Sequence, residues 1–184
     1  MAQITSGIRA VLSAPAVYDG FQWLSDGLYF AGYDVTPWHR NPGLPLIASL
    51  LYRLDAISCL PVLTAALQLV FFGYLTLLLR RHFSAGVVTL TLLFFFCNFS
   101  IHGFFDEIMA DAWAVTLGLI AVYHLDLARE RPRHLVSAGF AIGASFLFQY
   151  AIGCLAPLLA YYLIADVWPR RASRRGFFRW LALA

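Results

Sequence analysis

Apolar residues run through this chain in long, nearly unbroken stretches separated by short arginine-bearing breaks. Ala56–Leu79 is the first such stretch, and it ends on Arg80 and Arg81. About 20 apolar residues cross the hydrocarbon core of a bilayer, so the stretch predicts a membrane-spanning helix. Phe83–Phe105 is a second stretch, separated from the first only by Arg80–His82. So short a link predicts an antiparallel hairpin, with the arginine pair marking its cytoplasmic end. A third stretch runs from about Ile108 to Leu127 and closes on Arg129-Glu130-Arg131-Pro132-Arg133. Asp106, Glu107 and Asp111 stand around its start, which parity puts on the extracytoplasmic side.

Leu135–Trp168 is too long for one untilted crossing of about 20 residues. Arginines flank both of its ends, at 129, 131 and 133 and at 170, 171, 174 and 175. If both ends are cytoplasmic, two short helices must turn outside near Gln149–Gly153, with Gly153 and Pro157 as breakers. A single long, tilted helix is the rival. Residues 1–55 hold Asp19, Asp26, Asp34 and Asp55 and are extracytoplasmic by the same parity. Within them Pro42–Leu54 predicts a short amphipathic helix at the interface. The expected fold is all-α: a polytopic transmembrane helical bundle of about five membrane helices plus that interfacial helix. Its parts would be an extracytoplasmic loop region (1–55), a transmembrane module (56–168) and a cytoplasmic arginine-rich segment opening a further apolar stretch (169–184).

Composition agrees with this patterning. The chain is 61% hydrophobic and only 12% charged, with a mean hydropathy of +0.72, against roughly 25% charged residues in soluble domains. Its surface therefore needs lipid as solvent. All 13 basic side chains are arginines clustered at the breaks, a topological signal rather than a nucleic-acid footprint. Cys59, Cys97 and Cys154 lie inside apolar stretches without paired spacing, which suits buried free thiols better than a disulfide or zinc framework. Trp23, Trp38 and Trp113 fall at expected outer boundaries, and Trp168 and Trp180 at inner ones, as in an aromatic belt. The extracytoplasmic N-terminal region and the apolar opening Gly176–Ala184 suggest a fragment, a truncated gene product or a misassigned start.

Chemistry is concentrated in the outward carboxylates. Glu107 and Asp111 are an i,i+4 pair on one helical face, and like charges so close call for a compensating cation or a function. The helix dipole alone would also favour acids at that position, and both readings stand for Asp106 and Glu107. Asp111, a turn deeper, carries the greater desolvation cost. Two acidic groups from different loops could act as general base and as substrate or metal ligand. His102 and Asp106 are also i,i+4, but two ligands do not make a metal site. No cofactor is firmly implied, and a divalent metal is one alternative. His39 and Arg40 precede Asn41-Pro42, where a guanidinium could meet a phosphate or anchor the helix. Gln149, at the last outer turn, could face a cavity or cap the turn.

The order of these features resembles the N-terminal membrane module of GT-C-type glycosyltransferases, the protein mannosyltransferase and aminoarabinose transferase group. The resemblance rests on Tyr18-Asp19-Gly20 with Tyr29, on His39-Arg40-Asn41-Pro42-Gly43-Leu44-Pro45-Leu46, and on Leu79-Arg80-Arg81. It continues through Asp111–Tyr123 and the glycine-bearing Ala138–Phe146. Phe148-Gln149 stands where the family commonly has Thr-Lys, so one phosphate contact lacks its usual residue. The resemblance implies a membrane enzyme, in a bacterial inner membrane, that takes a sugar from a polyprenyl-phosphate donor on the extracytoplasmic side. Asp19 would be the general base, and Asp106, Glu107 or Asp111 a second acidic site. His39, Arg40 and Gln149 would lie near the carrier phosphate or substrate. Partners would be the lipid-linked donor and membrane lipids, with no nucleic acid; the acceptor is not specified. A non-catalytic transporter module or assembly subunit is the alternative, and it would be expected to carry its polar residues near the bilayer midplane.

Overall fold

The computed structural model describes residues 18–98 and 110–150, together with 157, 160 and 161. Every regular element among them is helical. In chain order these are α1 (Tyr18–Ala31), α2 (Gly43–Arg53), a 3₁₀ turn (Ile57–Cys59), α3 (Leu60–His82), α4 (Ala85–Cys97), α5 (Ala110–Ala128) and α6 (His134–Phe146).

α1 and α2 form a parallel pair joined by an extended return segment, residues 33–41. Both helices end the same way. Tyr33 N–H reaches Leu28 O and Gly32 N–H reaches Tyr29 O; Ala56 N–H reaches Leu51 O and Asp55 N–H reaches Tyr52 O. Each is a Schellman stop, which needs one left-handed residue. Gly32 (φ 96°) supplies it in α1 and Asp55 (φ 53°) in α2. The helices touch at Gly27, where an added Cβ would lie 2.6 Å from Ala48 Cβ. Arg53 ties the two C-terminal ends by donating from Nη2 to Phe30 O at 2.7 Å.

α3 and α5 are long and apolar enough to cross a membrane, and α4 and α6 are shorter apolar helices. The described residues thus hold two full-length candidate spans, against an expected total of about five for the whole chain. α3 opens with Pro61 in its first turn and closes on Arg80, Arg81 and His82, the polarity that the helix dipole favours. Its apolar residues cover every side, the pattern of a helix solvated by lipid. Leu69 and Leu90 are exposed, as are Phe94 and Phe140. Cys59 and Cys97 share that exposed surface, which corrects their expected burial; a thiol is apolar enough for a lipid-facing position. Cys154, Trp168 and Trp180 lie outside the described residues.

α3 and α5 run parallel. Leu60 joins Ala110 and Ala114 in one cluster at their starts, while Arg81 meets Asp126 and Glu130 at their ends, both at 2.5 Å. α4 returns beside α3 with Phe96 stacked on Phe72 at 4.6 Å. α6 returns beside α5 through small residues, Ala121 against Ala141 and Ala128 against Ala138, which let two backbones approach closely. Both arginine-bearing links therefore lie at one end of the bundle. α6 stops at Phe146 and the chain turns through Leu147 and Phe148, so the single long 135–168 helix is excluded.

Candidate functional site

The end of the bundle opposite the arginine links collects polar groups from four separate stretches of sequence. α1 contributes Gln22 and Asp26, both buried, at positions i and i+4 on one face. The Asp26 carboxylate accepts Trp38 N–H at 2.5 Å and Arg40 N–H at 2.8 Å. Two amides flanking one residue converge on a single anion only if the residue between them bends the chain. His39 does so, with φ 57° in the left-handed region. That conformation costs a non-glycine residue roughly 1–2 kcal/mol, and the two charge-assisted hydrogen bonds offset it.

Fixed at its backbone, Arg40 is also fixed at its head. Nε donates to Gln22 Oε1 at 2.6 Å, Nη2 donates to the same oxygen, and Cζ stands 5.8 Å from the Trp23 ring centroid, within cation–π range. Trp23 is 5% exposed. It therefore serves as a core platform, not the interfacial belt residue expected from its position. Trp113 is likewise only half exposed and stacks on Phe148 at 5.4 Å; of the three outer tryptophans, Trp38 alone is fully at the surface.

The next residue carries the connection to the other helices. Asn41 Nδ2 donates to Phe148 O at 2.9 Å and lies 3.5 Å from Gln149 Oε1. Gln149 Nε2 in turn donates to Asp111 Oδ1 at 2.7 Å. The first amide of α2, Gly43 N–H, donates to Leu147 O at 2.6 Å. A Cβ at Gly43 would lie 2.8 Å from both Leu147 O and the Phe148 ring, so only glycine permits this seam. Asn41, Gln149 and Asp111 form a chain of contacts that joins the start of α2, the turn after α6 and the first turn of α5.

Of the residues singled out in the sequence, the structure joins Gln149 to Asp111 by a hydrogen bond, whereas Arg40 contacts Gln22, Asp26 and Trp23. His39 is exposed. Asp19 falls in the first turn of α1, one turn before Gln22, but its side chain lies outside the described set, as do Asp106, Glu107 and His102. Gln22 and Asp26 were not singled out. Their signal was the spacing Asp19, Gln22, Trp23, Asp26, a polar stripe at helical period in a stretch read as loop. Among the described residues no three His, Cys, Asp or Glu side chains are grouped to hold a metal ion.

Apolar helices, arginine-bearing links at one end and a polar cluster at the other define an integral membrane protein. The chain belongs to the dolichyl-phosphate-mannose-protein mannosyltransferase family, GT-C-type glycosyltransferases, whose profile matches residues 39–184. The match begins at His39 and includes Arg40, Asn41, Asp111 and Gln149. Comparison with curated proteins and with solved structures finds no match.

Proposed function

We propose that the polar end of the bundle is the extracytoplasmic reaction site of a membrane glycosyltransferase that uses a polyprenyl-phosphate sugar. The observation that carries this reading is the Asn41–Gln149–Asp111 chain, which couples the arginine-bearing segment to the acidic start of a membrane helix. A lipid-linked donor needs its site at such a boundary, with its tail among the exposed apolar faces and its phosphate beside a fixed cation. Arg40, with His39, is the group for that phosphate: a guanidinium locked in one geometry stabilises charge on a leaving phosphate without reorganising.

In the reaction the acceptor oxygen or nitrogen attacks the anomeric carbon. The bond from that carbon to the phosphate oxygen breaks, and polyprenyl phosphate leaves with the electron pair. A carboxylate takes the acceptor proton. Asp19, one turn before Gln22 on α1, is the proposed base. Asp111, with Asp106 and Glu107 preceding it, is the proposed second acidic site, and Gln149 orients its carboxylate. A transporter module would place polar groups at mid-span. There the buried Thr116 hydroxyl is satisfied by Ala112 O of its own helix at 2.7 Å.

The test is transfer from a short-chain polyprenyl-phosphate sugar by membranes carrying the chain, read as release of polyprenyl phosphate. Asp19→Asn and Arg40→Gln should each cut release by on the order of 100-fold. Undiminished release in Asp19→Asn would remove it as the base, and undiminished release in both would overturn the reading.

A further inference from the structure

At the arginine-bearing end of the bundle two histidines meet across the seam between α5 and α6. His124 Nδ1 lies 3.0 Å from His134 Nδ1, and the two rings are 20° from coplanar with centroids 5.2 Å apart. That centroid separation is close to the nitrogen separation plus the radii of two five-membered rings. The rings therefore point head to head, each Nδ1 aimed at the other. Both side chains are partly buried.

This geometry admits a proton and excludes a metal ion. Two nitrogens facing each other across one zinc ion would stand about 4 Å apart, twice an ordinary Zn–N distance. An N–H···N bond of 3.0 Å requires one ring to donate from Nδ1 and the other to accept there. A neutral pair meets that condition. So does a pair with one extra proton, whose bond is charge-assisted. With two extra protons both Nδ1 atoms bear hydrogen, no acceptor remains, and two cations face each other.

The surroundings leave that repulsion uncancelled. From α3 the Tyr74 ring faces His124 at 6.1 Å, and on α5 the Tyr123 ring stands 5.5 Å away. His134 N–H donates to Arg131 O, and Arg133 adjoins it in sequence. The acids of this end are engaged elsewhere: Asp126 with Arg81, His82 and Arg129, and Glu130 with Arg81. Among the described residues no carboxylate lies within ion-pair distance of His124 or His134. Beside the pair Ala128 packs on Ala138, with Leu125 and Leu135 completing the cluster. The contact sits at the very start of α6, so release can be confined to its first turns. The pairing of α3 with α5 gains in acid instead, because a protonated His82 attracts Asp126 at 3.1 Å.

We propose that the His124–His134 pair is an acid-sensitive latch. It closes the α5–α6 seam at the arginine-bearing end while no more than one extra proton is bound, and it releases the start of α6 when both rings are protonated. The latch is independent of the transfer proposed at the opposite end.

Hydrogen exchange on the full chain in lipid nanodiscs tests this between about pH 7.5 and about pH 4.5, a range that brackets histidine titration. Corrected for the chemical rate at each pH, amides 136–140 should lose protection by about 10-fold or more in acid, the factor carried by one pH unit of linked protonation. Amides 79–82 and 122–126 should keep theirs. His124→Asn and His134→Asn each replace a ring by a side chain that does not titrate but still offers a donor and an acceptor, so both should abolish the acid response. An unchanged wild type, or a response retained in either variant, overturns the proposal. Nitrogen-15 spectra of the wild-type imidazoles need no variant. The pair should show one bare and one protonated Nδ1 at the higher pH, and two protonated ones at the lower. A pair still sharing its N–H···N bond at the lower pH overturns the latch as well.

Discussion

Gln149 donates from Nε2 to the Asp111 carboxylate across 2.7 Å, joining the turn after α6 to the first turn of α5. Its carbonyl oxygen faces Asn41 at 3.5 Å, so one amide holds two segments in register. Gln149→Leu keeps the bulk and removes both polar contacts. Stability should fall by about 1–2 kcal/mol, the cost of unpairing a partly buried carboxylate, read as a lower denaturant midpoint in detergent. Polyprenyl-phosphate release should fall by on the order of 10-fold or more, since Asp111 loses the group that orients it. Unchanged stability and unchanged release together would show that the amide only fills space.

Asp26 gives the largest expected stability effect. Its carboxylate is 2% exposed and takes two backbone N–H groups from the return segment. Asp26→Ala should destabilise the chain by about 2–3 kcal/mol, because two partly buried amides lose a charged acceptor. Asp26→Asn keeps one acceptor oxygen and should cost about half as much. Arg40 would then lose its fixed backbone, so polyprenyl-phosphate binding should weaken in the same order. Thermal unfolding in detergent, paired with phosphate titration, checks both parts.

The membrane helices were legible because lipid imposes one rule on every turn, and long apolar stretches can satisfy it only as helices. The observed bounds of α3, α5 and α2 fall within a few residues of those expected from pattern alone. The contact between Gln149 and Asp111 was legible only as two separate candidates, and nothing in the sequence couples positions 41 and 149. Apolar pattern alone did not mark α1 as a helix, because its buried face carries Gln22 and Asp26, residues that read as solvated when their partners are unknown. Trp23 was misplaced for the same reason. Its neighbours suggested an interface, whereas Arg40 covers it from a segment that pattern alone reads as loop.

Gly27 sets how closely α1 and α2 approach. An added Cβ would stand 2.6 Å from Ala48 Cβ and 3.2 Å from Pro45 O, which neither neighbour can avoid without backbone movement. Gly27→Ala should therefore cost about 1–3 kcal/mol by overpacking, and Arg40 should shift as α2 is pushed away. At Gly73 on α3 an added Cβ meets nothing within 4 Å. Gly73→Ala should be neutral or stabilising by up to about 1 kcal/mol, since alanine is the better helix residue. Comparing the two unfolding midpoints separates close helix contact from intrinsic helix preference. Equal effects would mean that the α1–α2 contact yields without cost.

Tyr52 ties stability to alkaline pH. Burial, with a smaller contribution from Tyr33, raises its folded value to about 12 from the ordinary 10.0. The folded chain therefore holds this proton more tightly than the unfolded chain does. The stabilisation is fully present below pH 10 and is lost as pH rises through 12. Two pH units correspond to about 2–3 kcal/mol at most. In the wild type, the unfolding midpoint should decline across that window more steeply than in Tyr52→Phe, which lacks the titrating group. Phenolate absorbance should show one tyrosine titrating near 12 that Tyr52→Phe removes. A wild-type midpoint parallel to that of Tyr52→Phe from pH 9 to 12 would mean that the hydroxyl is solvated in the folded state.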